Sequence, residues 1–319
     1  MSEHPASGRI PRKAGVLRSC LLALLCCAVA AALYGQAEER KPRQSDAFWS
    51  ESQKQTYDEA KAILDRGEAL TSRLRRAVED VCEQLALSLR SGEYVSERGR
   101  IHDLLVDMDA LAVRGVTKHL LAADAPDEAR LYGIVILVSI PEVDQVKESI
   151  VSALSDPSPA VRLWAIRGVV KKGYADAGAG VVDLLLDETP EVRLVATQAV
   201  ADLKVAGAEG HLVSMVERES VRRAPLSQQL AQLQEQLKAL EAATEPTEDD
   251  AQQISLLNQR IEELSGRVAF INLLIYRVGE ALSTLSSGAD GLELKGALSD
   301  EDLQKVINDL RQKYGSAVS

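Results

Sequence analysis

The chain has 319 residues, enough for two ordinary domains, with 37 basic against 48 acidic side chains and a formal charge of −11. That balance offers no basic face and argues against nucleic acid as a partner. Aromatic residues make up 3%, while Leu, Ala, Glu and Gln are abundant, which suits an all-α protein.

Residues 1–37 read as a targeting segment. Arg9, Arg12, Lys13 and Arg18 precede an apolar run from Cys20 to Tyr34, which is shorter than the roughly 20 residues that span a bilayer. Gly35-Gln36-Ala37 places small residues where a signal peptidase reads. Two outcomes fit: cleavage after Ala37, or an uncleaved anchor over residues 16–34 with Arg18 snorkelling. Both predict an exported body, periplasmic or anchored outside the cytoplasmic membrane. Cys26 follows Leu24-Leu25, which argues against a lipoprotein cysteine. Cys20, Cys26 and Cys27 fall in the apolar run, so Cys82 is alone in the body and no internal disulfide forms. Its place among Val78, Val81 and Leu85 predicts a buried structural thiol.

Residues 38–92 predict one long amphipathic helix over 46–90, with Ile63, Gly67, Leu70, Leu74, Ala77 and Val81 on one stripe. Phe48, Trp49 and Tyr57 cluster near its start, either anchoring the helix end on another helix or meeting membrane headgroups. Ser91-Gly92 ends the helix, and a further helix is expected over Tyr94–Val113.

From Asp124 to Leu203 one pattern returns three times. Asp124, Asp156 and Asp187 are 32 and 31 positions apart, as are Arg130, Arg162 and Arg193. A period of this size means stacked helical units over residues 93–218. In the second unit Val143, Val146, Ile150, Val151 and Leu154 mark helix A, roughly residues 142–154. Ser155-Asp156-Pro157 stops it, Ser158 is expected to cap, and Pro159 opens helix B. Ala165 and Gly168 permit close packing there. Each Arg stands beside the buried stripe and is expected to reach the Asp of its own turn or of the neighbouring unit, a structural ladder in preference to a charged binding ridge.

The Asp-Pro turn, Val161-Arg162, Val192-Arg193, Ala165 and Ala196 resemble HEAT repeats over about residues 101–218. The first unit departs from that pattern with Ala129 and Gly133 in place of Val and Ala. The resemblance implies an α-solenoid used chiefly as an interaction surface, and only occasionally as an enzyme scaffold. Metal-dependent enzymes on such repeats use His-Glu motifs, and this chain has none: His102, His119 and His211 are scattered and lack metal-ligand spacing.

Beyond Pro225 the period changes. Leu226, Leu230, Leu233, Leu237 and Leu240 alternate steps of four and three, and after residues 243–250 so do Ile254, Leu257, Ile261, Leu264, Val268, Ile271, Ile275, Val278, Leu282 and Leu285. That predicts an antiparallel coiled-coil hairpin over residues 219–286. The second seam outlasts the first, so the surface beyond Phe270 needs cover from the last repeat, the 46–90 helix, or a second copy in a homodimer through residues 254–285. Residues 287–319 hold a loop and a short amphipathic helix with Ser299 and Asp302 as its cap.

No nucleotide-binding glycine loop and no Gly-x-Ser-x-Gly nucleophile signature occurs, and Asp103, Asp107 and Asp109 lack the spacing of a calcium loop. The sequence therefore points away from an enzyme and from cofactor or metal use. It indicates a protein-binding adaptor or scaffold, with a coiled-coil spacer as the alternative. Tyr132, Trp164, Arg167 and Tyr174 are the candidate partner anchors, because aromatic and Arg side chains carry most contact energy.

Overall fold

The computed structural model describes residues 48–141, 143–242, 247–286 and 299–315, all helices and connections. The expected targeting segment and anchor, 1–37 and 16–34, lie outside the described residues.

The N-terminal flank is long and helical, but folded back on itself. Helix α1 (Glu51–Asp65) opens on a capping box between Ser50 and Gln53. It ends in a Schellman turn, where Glu68 N–H donates to Ile63 O and Gly67 N–H to Leu64 O. Gly67 holds φ +73°, a left-handed conformation nearly free of cost only for glycine. Thr71 then caps α2 (Ser72–Ser91), which packs on α1. Gly67 thus ends the predicted single helix in spite of fitting its apolar stripe.

The predicted helix over Tyr94–Val113 is also divided. α3 (Arg98–Asp107) and α4 (Ala110–Gly115) are separated by Asp109 at φ +55°, and α4 runs on as a π-turn, Val116–Leu120. α4 crosses α2 closely at Gly115, where a Cβ would stand 2.9 Å from the backbone at Cys82 and Glu83.

The repeats follow as A/B helix pairs. α5 (Asp127–Ser139) is helix B of the first unit. The second comprises α6 (Asp144–Ser152), extended by a 3-10 turn over Ala153–Ser155, and α7 (Pro159–Lys172). The third comprises α8 (Gly178–Asp183), extended by Leu184–Leu186, and α9 (Pro190–Asp202). The B helices stack in order, α5 on α7 and α7 on α9. Pro159 opens α7 as expected, and Pro190 opens α9 in the same way. Ser158 does not cap with its side chain; its N–H donates instead to Asp156 Oδ1 at 2.8 Å, and Thr189 N–H donates to Asp187 likewise. The close approach expected at Gly168 is present: a Cβ there would lie 2.6 Å from Val138 and 3.0 Å from Ile150.

α10 (Glu209–Glu241) and α11 (Glu248–Leu285) form the coiled-coil-like hairpin, their seam residues meeting along the arm. α10 passes through Pro225 without ending. The carbonyl that Pro225 leaves unpaired belongs to Val221, a residue 73% exposed, so water can satisfy it. The base of the hairpin extends the stack. Leu212, Val213, Met215 and Val216 of α10, with Ile271, Leu274, Ile275, Val278 and Leu282 of α11, join the core of the repeats, and α11 packs on α9. These two segments act as a fourth A/B pair whose helices both overrun the stack. Between residues 224 and 263 no described side chain is fully buried, so this part is a projecting two-helix arm. The last repeat therefore covers the surplus seam beyond Phe270. Among the described residues α11 is also the helix long and apolar enough to cross a membrane, with mean hydropathy 1.4 over its best window. Here that stretch faces the repeat core. Finally α12 (Asp300–Tyr314), capped by Ser299, seats Leu303, Ile307 and Leu310 on α10.

Candidate functional site

The recurrent Arg and Asp residues build the inside of the stack. Each Arg fork faces two ways. Nη1 of Arg162 donates to the carbonyls of Asp156 and Pro157 at 2.8 and 3.0 Å, clamping its own turn. Nε and Nη2 donate to both oxygens of Asp187, one unit on, at 2.7 and 2.8 Å. Arg130 repeats this geometry with the Ala125 carbonyl and Asp156, and adds Asp127. The Asp of the following unit is thus the side-chain partner, while the Arg's own turn is met through backbone oxygen. Bonding to Asp156 raises the Arg130 pKa further above its ordinary value. Arg130, Arg162 and Arg193 are all buried, which rules out a charged ridge on the surface.

Asp124 departs from this pattern. It is exposed and takes Arg90 at 2.7 Å, which holds its carboxyl below the usual carboxylate range. Arg193 clamps Asp187 O and Glu188 O, but its carboxylate partner is Glu219 on α10, 3.0 Å away. Glu219 is 1% exposed and also pairs with Arg222. A period read from Asp and Arg alone misses Glu219, because a different acid occupies that position. It stands 32 positions after Asp187, so one more count of the repeat period reaches it. Arg223, one turn on, donates to Asn272 of α11 at 2.9 Å and pairs with Asp300 of α12. Buried charge therefore ties the third unit, both sides of the hairpin base and the C-terminal helix together.

The surface of the B helices is the candidate functional site. Two residues after each ladder Arg stand Tyr132, Trp164 and Val195, all half-buried and all at one position of successive stacked helices. They form a row flanked by Leu163 and Leu194 on one side and by Val135 one turn on. Arg98 lies 5.7 Å from the Tyr132 ring centre and pairs with Glu128; Arg167 lies 5.1 Å from the Trp164 ring centre. Tyr174 is not part of this row. It is 5% exposed at the end of α7, beneath Lys147, because Gly173 at φ +70° turns the chain back and Tyr174 N–H closes the helix on Val169 O. Three of the four candidate anchors thus lie on the B face and the fourth belongs to the core.

Phe48, Trp49 and Tyr57 form a stacked and edge-on cluster with Tyr94, and all but Tyr94 are buried. Tyr57 O–H donates to Leu104 O at 3.0 Å, and burial raises its pKa above the ordinary tyrosine value. The cluster fastens α1 to the next elements through its buried rings. It borders an open groove of about 540 Å³ lined by Ser50, Gln53, Gln84, Ser88 and Glu93.

No group of three or more His, Cys, Asp or Glu with metal-binding geometry occurs among the described residues. His102 leans on Asp103 and His119 stands 3.7 Å from Glu83, far apart in the chain and in different networks. Cys82 is fully buried and its thiol is pushed up to about 12 by desolvation, which removes the thiolate that nucleophilic chemistry needs.

Residues 116–201 match the family model for HEAT repeats. That segment takes in the π-turn after α4, helix B of the first unit, the second A/B pair, the third but for its last residue, and the row of Tyr132, Trp164 and Val195; it is narrower than the 101–218 expected from the residues. No curated protein and no solved structure matches the chain.

Proposed function

We propose that this chain is a non-catalytic protein-binding scaffold that works outside the cytoplasmic membrane. The B-helix row holds a partner segment, and the projecting arm offers a second docking or oligomerisation element. The observation that carries this reading is the alignment of Tyr132, Trp164 and Val195 on three stacked helices. Stacking repeats one surface position at constant spacing, a geometry suited to an extended or helical ligand. Half-exposed aromatic rings with an arginine on them are the kind of group that dominates such contacts. The HEAT segment supports a protein-interaction role in general terms. Export rests on the basic and apolar pattern of residues 1–37.

A cross-linked co-isolation from the native host tests this reading with three forms of the full chain. One is unaltered, one carries Tyr132→Ser, Trp164→Ser and Val195→Ser, and one carries Glu148→Ala and Asp183→Ala on exposed A-helix positions. The scaffold reading expects the same partner with the first and third forms and its loss with the second, with circular dichroism showing all three folded and the second melting somewhat lower for its lost apolar packing. A partner retained by the row variant would remove the B face from the account. Fractionation with intact mass tests location: an exported or membrane-bound chain, beginning near Glu38 or complete, is expected, and a cytoplasmic one contradicts it.

The arm also favours a second reading, that of a spacer. Its seam is half-buried and no described side chain between residues 224 and 263 is buried, as expected of a rod that sets a distance. A chain with a shortened arm that retained its partner but no longer supported the process served would favour the spacer.

A further inference from the structure

The B face carries more than an apolar row. Arg167 and Lys171 stand one helical turn apart on α7, both exposed, on the same side as Trp164. Neither makes an ion pair or hydrogen bond among the described residues. Most other cations of the stack are engaged: Arg98 with Glu128, Lys147 with Asp176, Arg114 and Lys118 with Glu83, and Lys172 with the Ile140 carbonyl, with Lys204 past the end of α9 the exception. In a chain of formal charge −11, two unpaired cations beside the half-exposed tryptophan are a local reversal of sign.

The geometry around Arg167 specifies more. Its guanidinium centre lies 5.1 Å from the Trp164 ring centre, close enough for the ring face to hold it. A stacked guanidinium keeps its in-plane N–H donors free, and that edge is the one that fits a carboxylate with two parallel hydrogen bonds. Lys171 adds a second charge a turn away. The flanking positions are apolar: Val135 on α5, Leu194 and Val195 on α9. On α9 the positions that match Arg167 and Lys171 are Gln198 and Asp202, which bond to each other at 3.0 Å; Asp202 keeps its charge, so the two cations outnumber the acid beside them by one.

We propose that this patch binds an acidic, apolar segment of a partner protein, its aliphatic side chains lying on Trp164 and Val195 and a carboxylate taken by Arg167 and Lys171. The inference rests on the reading of the B face as the docking face and adds the chemistry of what docks there.

The test uses the full chain with Trp49→Phe, which leaves Trp164 as its one tryptophan, checked by circular dichroism. Two synthetic amphipathic peptides with the same leucine pattern are titrated against its fluorescence, one with Glu and one with Lys at the polar positions. The acidic peptide is expected to shift Trp164 emission saturably. Its affinity should fall at least tenfold with Arg167→Glu and Lys171→Glu, and weaken as salt rises, while melting is unchanged. The basic peptide is expected not to bind. Equal binding of both peptides would overturn the acidic class and leave the face a docking face. Absence of binding by either, beside selective loss of the native partner in the row variant, would overturn this inference and spare the scaffold reading. Self-association abolished by the charge reversal would assign the patch to the acidic arm of a second copy, and so overturn a separate partner.

Discussion

Arg162 and Asp187 show how a single recurrent pair organises the fold. Each side chain is under a tenth exposed; the Arg162 fork also donates to the carbonyls of its own turn, and Asp187 accepts the N–H of Thr189 at the next helix start. Removing one member leaves a buried charge without its partner, which costs about 3–5 kcal/mol. Asp187→Ala is therefore expected to lower unfolding free energy by about 3 kcal/mol in urea, and Arg162→Met combined with Asp187→Leu to recover much of it. A double variant as unstable as the sum of its singles would show the two sites to be independent. The pairing was legible in the sequence as a period shared by Asp and Arg, but its direction was not: spacing alone does not say which turn an arginine reaches. Cys82 was legible from its apolar neighbours. Its burial predicts no reaction with a thiol reagent in the native chain and one equivalent from this site on unfolding; prompt native labelling would contradict its placement.

At the scale of elements, helices were easier to read than their ends. Gly67 fits a helical stripe by spacing and yet ends α1, because the left-handed turn and the Thr71 cap outweigh one weak apolar position. Pro225 looks like a stop and is not one, since the carbonyl it orphans lies on the exposed Val221. α12 is attached by three apolar side chains and by Arg223–Asp300 and Arg311–Glu217. Burying each apolar chain is worth about 1.5–3 kcal/mol. Leu303→Asp with Ile307→Asp should release this helix alone. Amide hydrogens of residues 300–314 would then exchange faster by tenfold or more, with protection of α7 and α9 unchanged. Loss of protection throughout would show that α12 is integral to the stack.

For the whole molecule, the heptads of residues 226–285 made the hairpin legible. Its dual nature was hidden because a seam repeats alike whether it meets one helix or a repeat stack. The core joins Phe48 to Leu310, and the arm leaves it between the fourth A and B helices. Replacing residues 228–261 by a short turn is accordingly expected to preserve the melting of the stack within a few degrees while removing helical signal in proportion. Acid should lower stability modestly, because the pairs concerned are at the surface and screened by solvent. Lys118 holds Glu83 below its ordinary pKa, Arg90 does so for Asp124, and Lys147 for Asp176. Depressed folded values mean that the unfolded chain takes up protons first as pH falls. The melting temperature should stay level from about pH 8 to 5 and drop below the usual carboxylate pKa of about 4. A rise in stability below that value would reverse the sign and contradict these pairings.

The most direct test of the B face as the working surface is a photo-crosslinking scan in the native host. A photoreactive residue is placed at Val135 or Gln198 on the B helices, at Glu148 or Asp183 on the A helices, and at Gln232 or Gln253 on the arm. The scaffold account predicts one common partner adduct from both B positions and none from the A positions, whether or not the arm adds a contact of its own. Adducts from the A helices with none from Val135 and Gln198 would contradict it.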